Sequence, residues 1–276
     1  MKRCYLTVLS TDDYLVGVLV LNESLKAVNA AYPLCCLTAE NLKPETYAAL
    51  ERAGIKTIVQ HAGFTVSQEN IDKQRSLGWG YNWQHTFFKL YMFGVPYEKI
   101  VYLDADCMVI RNVDELFDKP HLSACKDCEL MPFGVWPGLN SGVMVIEPDK
   151  EVLEKAIPLI NGYKDAGGDQ AIFGYLYPDW EDHPELKLPR HYNVFMCYDN
   201  QDWYFKDIHL NDENTVKIAH LTGKPFLSIG EKSRWVDRVL EDNKFIYHAS
   251  MYKFAHYLKI YKKYETEVLN KLEIFI

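Results

Sequence analysis

Short apolar runs alternate with longer segments whose apolar residues recur at helical spacing. Residues 4–9, 33–38 and 55–59 have the apolar content and length of buried strands, whereas residues 15–30 and 44–53 have the periodicity of helices. Strands separated by helices of this length predict βαβ units with right-handed crossovers. The pattern therefore predicts an α/β fold with a mainly parallel, Rossmann-like sheet.

The loop after the first predicted strand limits which nucleotides such a sheet binds. The sequence there reads Ser10-Thr11-Asp12-Asp13-Tyr14, with no G-x-G-x-x-G fingerprint and no P-loop. This argues against a dinucleotide-dependent dehydrogenase. In open parallel sheets ligands bind beyond the carboxyl ends of the strands, and this loop is predicted to lie there. Tyr14 offers a flat face for a base, and Ser10 and Thr11 offer hydroxyl groups.

Two carboxylates stand directly behind another apolar run, in Leu103-Asp104-Ala105-Asp106. Acids at the end of a buried strand are unpaired anions unless a cation offsets their charge. Hard divalent cations prefer carboxylate oxygens and keep open positions for phosphate. The alternative is that these residues cap the following turn, a common role for Asp.

Further polar segments follow downstream. They are Asn140-Ser141-Gly142, Gly167-Gly168-Asp169-Gln170 and His220-Leu221-Thr222-Gly223-Lys224. In this order and at about this spacing, the motifs resemble those of the family 8 retaining glycosyltransferases, the glycogenin and galactinol synthase type. The resemblance extends from about Thr7 to about Phe226.

The resemblance implies a single nucleotide-sugar-binding domain of the GT-A type over residues 1–250, with a helical extension over 251–276. It implies a retaining, metal-dependent enzyme that moves a hexose, glucose or galactose being favoured, from a UDP-sugar to a saccharide or polyol acceptor. Mn²⁺ is the expected ion, with Mg²⁺ as the second choice, since an imidazole ligand suits manganese better.

The resemblance also implies roles for individual residues. Asp104, Asp106 and His220 would hold the metal, and Lys89, Asp169 and Gln170 would be catalytic. The implied donor-binding residues are Val8, Ser10, Thr11, Tyr14, Lys89, Asp104, Ala105, Asp106, Asn140, Ser141, Asp169, Gln170, His220, Gly223 and Lys224. Because glutamine is a poor nucleophile, a front-face mechanism is expected, with Asp169 as the alternative nucleophile.

Structural explanations compete with these roles. Asp12 and Asp169 could be N-caps, the latter of a helix over residues 170–176. His220 could be a core histidine at the end of a strand over residues 216–219. Lys89, at the start of a helix-like segment, could be a solvated surface residue.

Composition narrows the classes of partner and the cellular location that are expected for this protein. The chain has 276 residues, 48% hydrophobic content and a formal net charge of -8, which argues against nucleic acid as a partner. Seven irregularly spaced cysteines suit reduced thiols, and no stretch has the length and apolarity of a transmembrane helix, so a cytoplasmic protein is expected.

Two alternative functions are open. Tyr198 lies in roughly the region of the self-glucosylated tyrosine of glycogenin, so self-glycosylation is one of them. A non-catalytic nucleotide-sugar-binding protein is the other. Residues 256–276 carry apolar positions at helical spacing. This segment would dock on the domain, pair with a second subunit in a homodimer, or contact a membrane surface.

Overall fold

The computed structural model describes residues 2–61, 63–76, 83–127, 138–162, 168–196, 216–221 and 249–273. The strands are β1 (Arg3–Leu9), β2 (Leu34–Ala39), β3 (Lys56–Gln60), β4 (Lys99–Leu103), β5 (Cys107–Val109), β6 (Ala124–Lys126), β7 (Leu139–Ile146), β8 (Val194–Phe195) and β9 (Ile218–His220). The α-helices are α1 (Leu15–Ala27), α2 (Pro44–Arg52), α3 (Gln68–Ser76), α4 (Lys150–Gly162), α5 (Gly168–Leu176) and α6 (Ala249–Lys271). Together they form an α/β fold, as the sequence predicts.

The main sheet has the strand order β3-β2-β1-β4-β7-β6. β1 to β4 are mutually parallel, which confirms the predicted parallel arrangement, whereas β7 runs antiparallel to both β4 and β6. An antiparallel strand begins where its parallel neighbours end. The polar start of β7, Asn140 and Ser141, therefore lies at the same edge of the sheet as the carboxyl end of β4.

A second, small sheet has the order β5-β9-β8. The chain leaves the main sheet after β4, turns through residues 104–106 and enters the small sheet as β5. There Cys107 pairs with His220 of β9, and the backbone N–H of Leu221 donates to the carbonyl of Asp106 at 2.8 Å. This pairing brings His220 beside the Asp104-Ala105-Asp106 turn.

Several predicted boundaries shift. Helix α1 ends at Ala27 rather than at residue 30, since Asn29 adopts a left-handed φ of 52° in the turn that follows. The helical segment around Lys89 is a 3₁₀ helix, Trp83–Gly94, so the predicted start at Lys89 is wrong and this lysine lies inside the helix. His220 is the last residue of β9 rather than the residue after it.

The C-terminal segment docks on the domain. Helix α6 packs against α1, and it buries Tyr257, Leu258 and Tyr261 almost completely. Near its end, Arg52 of α2 donates to the carbonyl of Leu272 at 2.6 Å. These contacts confirm the predicted docking for residues 256–273. The domain boundary at residue 250 stays a prediction, and α6 begins at Ala249.

Among the helices of the described ranges, none is both long and apolar enough to cross a membrane.

Candidate active site

An open cleft lies at the carboxyl ends of β1 and β4. Residues predicted to bind the uridine line it together with the Asp104-Ala105-Asp106 turn. The lining residues are Val8, Ser10, Thr11, Tyr14, His85, Thr86, Lys89, Tyr102, Asp104, Ala105 and Asp106. The cleft thus brings together segments that are far apart in the sequence, at the edge of the sheet where α/β proteins bind ligands.

Asp104, Asp106 and His220, here called the carboxylate cluster, converge beside this cleft. Nε2 of His220 lies 3.1 Å from Oδ1 of Asp106 and 3.9 Å from Oδ2 of Asp104. The imidazole is nearly buried, and its ring packs edge-on against Phe195 at 4.7 Å between centroids. Nε2 of His220 is thus close to a carboxylate oxygen of each aspartate.

The electrostatics of the carboxylate cluster show that its charges interact strongly. Burial raises the pKa of Asp104, and the Lys89 and His220 charges only partly oppose it. Burial also raises the pKa of Asp106, but His220 outweighs that effect and holds the pKa below its usual value. For His220, burial lowers the pKa, yet the charge and hydrogen bond of Asp106 together with the Asp104 charge outweigh burial, and the net shift is upward. The protonation states of the three residues therefore depend on one another.

Cys107 also lies close to Asp106 and His220, with ligand atoms of the three within 4.8 Å of one another. Burial raises the pKa of this thiol well above its usual range, which keeps it protonated. Because metals bind the thiolate rather than the thiol, Cys107 would have to lose its proton to act as a ligand.

Lys89, Ser141 and Asp169, here called the lysine cluster, occupy the floor of the site. Nζ of Lys89 lies 3.0 Å from Oδ1 of Asp104 and 3.0 Å from Oδ2 of Asp169, and it donates to Oγ of Ser141 at 3.1 Å. The Ser141 hydroxyl donates to Asp169 at 2.5 Å. Burial lowers the pKa of Lys89, but the Asp104 and Asp169 charges outweigh it and raise the pKa. Lys89 is therefore a buried cation and not a solvated surface residue.

Side-chain amides form the third part of the site. Oε1 of Gln170 accepts from Nδ2 of Asn140 at 2.9 Å and from the backbone N–H of Ser141 at 3.2 Å. Nε2 of Gln170 and Nδ2 of Asn140 donate to the same oxygen of Asp127, at 3.3 and 2.7 Å. Burial raises the pKa of Asp127, opposed by these two hydrogen bonds. The orientation of the Gln170 amide is thus fixed by two donors, Asn140 and the backbone of Ser141, and by one acceptor, Asp127.

Most of the predicted site residues line the cleft or belong to one of the groups just described. Two of them are not among the described residues. Gly223 and Lys224 lie outside the described residues, as do Gly167 and Tyr198. The alternative that Asp12 caps α1 is wrong. Its carboxylate instead accepts from the backbone N–H of Lys43 at 3.0 Å and from the Thr46 hydroxyl, so it caps α2.

Sequence reasoning missed several residues at this site: His85, Thr86, Tyr102, Asp127 and Asn193. Asp127 follows β6 as Asp104 follows β4, so the same signal, an acid behind a strand, was present for it. Asn193 carried no comparable signal, because it precedes a strand of only two residues.

Solved structures with a similar fold are glycosyltransferases. GlyE of Streptococcus pneumoniae TIGR4 aligns with a TM-score of 0.56 at 19% identity, covering 98% of this chain and 64% of that chain. The galactosyltransferase LgtC, in a complex with donor and acceptor sugar analogs, aligns with a TM-score of 0.52 at 14% identity over 95% of both chains. The fold is therefore of the glycosyltransferase GT-A class.

Sequence comparison identifies the family. The model of Glycosyl transferase family 8 matches residues 5–230. Glycogenin-1 of Caenorhabditis elegans is 31% identical over 70% of this chain and 44% of that protein. UDP-glucuronate:xylan alpha-glucuronosyltransferase 1 of Arabidopsis thaliana is 28% identical over 78% of this chain and 28% of that protein. The chain belongs to glycosyl transferase family 8, and its matched region spans less than half the length of these curated relatives.

Proposed function

We propose that this chain is a metal-dependent, retaining hexosyltransferase that uses a UDP-sugar donor and a saccharide or polyol acceptor. One observation carries the proposal: the carboxylate cluster adjoins a cleft lined by Val8, Ser10, Thr11 and Tyr14, the residues expected to hold uridine. A nucleotide diphosphate seated between these two groups would present its phosphates to the cluster.

The donor set fits a divalent cation. Asp104, Asp106 and His220 offer two carboxylates and an imidazole nitrogen in a partly buried site, a combination that suits Mn²⁺. A bound divalent cation would supply charge stabilisation for the diphosphate leaving group.

The protein's own residues supply the rest of the chemistry. Lys89 brings a positive charge that Asp104 and Asp169 hold in place, so no reorganisation is needed when negative charge develops on the donor. Asp169 binds the sugar through the carboxylate that also contacts Lys89 and Ser141. Asn140 and Ser141 add polar groups for the sugar hydroxyls.

The same contacts support a front-face mechanism over double displacement. Asp169, the alternative nucleophile, has one oxygen engaged by both the Lys89 ammonium and the Ser141 hydroxyl, which lowers its nucleophilicity. Gln170 has its amide oxygen occupied by two donors. In the proposed mechanism, the acceptor hydroxyl attacks from the face that UDP leaves, and Gln170 stabilises an oxocarbenium-like transition state.

For the transferred sugar and the acceptor, the proposal names chemical classes, a hexose and a saccharide or polyol, and not individual compounds. Glucose and galactose are favoured as donor sugars, and the name of the xylan alpha-glucuronosyltransferase relative adds UDP-glucuronate to the donors worth testing. Self-glycosylation on Tyr198, a homodimer and a cytoplasmic location stay predictions.

The test is release of UDP from purified protein incubated with UDP-glucose, UDP-galactose, UDP-N-acetylglucosamine or UDP-glucuronate, in Mn²⁺ and in EDTA. We expect slow hydrolysis of one donor that requires the metal, and the released sugar should first appear as the α anomer. Nucleotide binding without turnover in the presence of any tested acceptor would instead support a non-catalytic nucleotide-sugar-binding protein.

A further inference from the structure

A line of hydrogen bonds connects the carboxylate cluster to the amides that hold Gln170. Nδ1 of His220 lies 2.8 Å from Oδ1 of Asn193, and Nδ2 of Asn193 lies 2.8 Å from Oδ1 of Asn140. Asn193 is fully buried, so its polar atoms find their partners inside the protein. Its only two described side-chain contacts of this kind are with a candidate metal ligand and a candidate sugar-binding residue.

The direction of these hydrogen bonds follows from one backbone group. The N–H of Gly142 donates to a terminal atom of Asn140 at 2.9 Å. Since a backbone N–H only donates, that atom is the amide oxygen of Asn140. Asn193 must therefore turn its NH₂ group toward this oxygen and its own carbonyl oxygen toward His220.

The orientation of Asn193 then determines the form of the imidazole. An amide oxygen only accepts, so Nδ1 of His220 carries the hydrogen of this bond. In the neutral ring the lone pair is consequently on Nε2, the atom that faces Asp106 at 3.1 Å. Metals bind neutral imidazole through such a lone pair.

Packing holds the ring in the same place. A Cβ at Gly142 would lie 2.6 Å from Cε1 and 2.9 Å from Nδ1 of His220, so the ring rests directly on the backbone of β7. Phe195 covers another side. The ring is therefore packed against the backbone of β7 on one side and against Phe195 on another.

We propose that Asn193 is a positioning residue that fixes His220 as the Nδ1–H tautomer and presents Nε2 to the metal. The inference rests on the proposed metal set of Asp104, Asp106 and His220. It adds that the backbone N–H of Gly142, acting through Asn140 and Asn193, selects which nitrogen is the ligand. The hydrogen bond from Asn193 also orients Asn140, which in turn donates to Gln170. Asn193 would therefore help to position both the metal ligand and the sugar-binding residues.

The first experiment tests the tautomer in the unaltered protein. Long-range ¹H–¹⁵N NMR spectra of metal-free protein, at a pH where the ring is neutral, should show His220 with a protonated Nδ1 and an unprotonated Nε2. His220→Gln assigns the signal. A protonated Nε2 would overturn the inference whether or not the protein proves to be a transferase.

The second experiment measures Mn²⁺ affinity by electron paramagnetic resonance. Asn193→Leu should weaken Mn²⁺ binding about 10- to 100-fold, the range for loss of a partner that orients a metal ligand. Asn193→Asp, which still accepts from Nδ1–H, should recover most of that affinity. Equal Mn²⁺ affinity in wild type and Asn193→Leu would overturn the inference.

Asn22→Leu is the matched control. Asn22 is a buried asparagine of α1 whose Nδ2 donates to the Ala53 carbonyl at 3.2 Å, a backbone group that does not line the cleft. Its substitution should lower the melting temperature without changing Mn²⁺ affinity. If wild type itself bound no Mn²⁺, the proposed metal set would fail, and the NMR result would still decide the role of Asn193.

Discussion

The two charged parts of the site, the lysine cluster and the carboxylate cluster, differ in how their charge is balanced. In the lysine cluster, the ammonium of Lys89 has a carboxylate on each side, at 3.0 Å from Asp104 and 3.0 Å from Asp169. In the carboxylate cluster, Asp106 has only a titratable imidazole at 3.1 Å. Lys89 and Asp169 thus neutralise each other within the lysine cluster, whereas the carboxylate cluster has two carboxylates against one imidazole and gains from an additional cation.

This difference suggests a division of labour. Balanced ion pairs hold their partners rigidly, which suits residues that orient a sugar. Unbalanced carboxylates bind a cation, which suits the end of the site that receives a diphosphate. Asp104 belongs to both groups, since it contacts Lys89 and faces His220. It therefore links the two halves of the site.

The largest effect on stability is expected from removing the lysine. Lys89→Met leaves Asp104 and Asp169 buried without their cation, and it should lower the free energy of unfolding by about 3–5 kcal/mol. Urea denaturation in EDTA measures this. Lys263→Met is the control, since its pair with Glu267 is exposed, and it should change stability by less than about 0.5 kcal/mol. Equal effects of the two substitutions would contradict a buried, balanced lysine cluster.

A smaller effect, on turnover alone, is expected at Gln170. Gln170→Ala should reduce kcat about 100-fold, the size typical of removing a group that stabilises developing charge, while UDP affinity changes little. Steady-state kinetics together with calorimetric titration of UDP separate the two quantities. Gln60→Ala serves as the control at a different strand end. Unchanged turnover would remove Gln170 from the catalytic residues.

The smallest effect is a pH dependence of the metal-free protein. The pKa of His220 is raised in the folded state, since the charge and hydrogen bond of Asp106 and the charge of Asp104 together outweigh burial. A raised pKa contributes stability that is fully present below the unfolded-state pKa and is lost as pH rises through the folded-state pKa. Denaturation in EDTA should therefore show a loss of stability above about pH 6.5. His220→Gln should abolish this step, and its persistence would assign the titration to another group.

The local pattern of the sequence was enough to predict β1 to β3 and the position of the site. The apolar runs and helical spacing give the parallel strands, and the polar residues behind β1 and β4 lie at one edge because parallel strands end together. Asp104 and Asp106 needed no long-range information, since the signal is an acid behind a strand.

What the sequence could not supply is pairing between distant segments. His220 reaches Asp106 only because β9 pairs with β5, and Asn140 lies at the carboxyl end of β4 only because β7 runs antiparallel to β4. Neither pairing is encoded in local periodicity. Asn193 was missed for the same reason, since its importance lies entirely in two partners distant along the chain.

The most direct test of the account is UDP binding with and without Mn²⁺, measured by isothermal titration calorimetry on wild type and Asp106→Asn. The account predicts that Mn²⁺ strengthens UDP binding to wild type at least tenfold, which is about 1.4 kcal/mol. It also predicts that Asp106→Asn keeps the fold and loses the Mn²⁺ effect. Equal UDP affinity of wild type in Mn²⁺ and in EDTA would contradict the central claim that the carboxylate cluster is completed by a divalent cation.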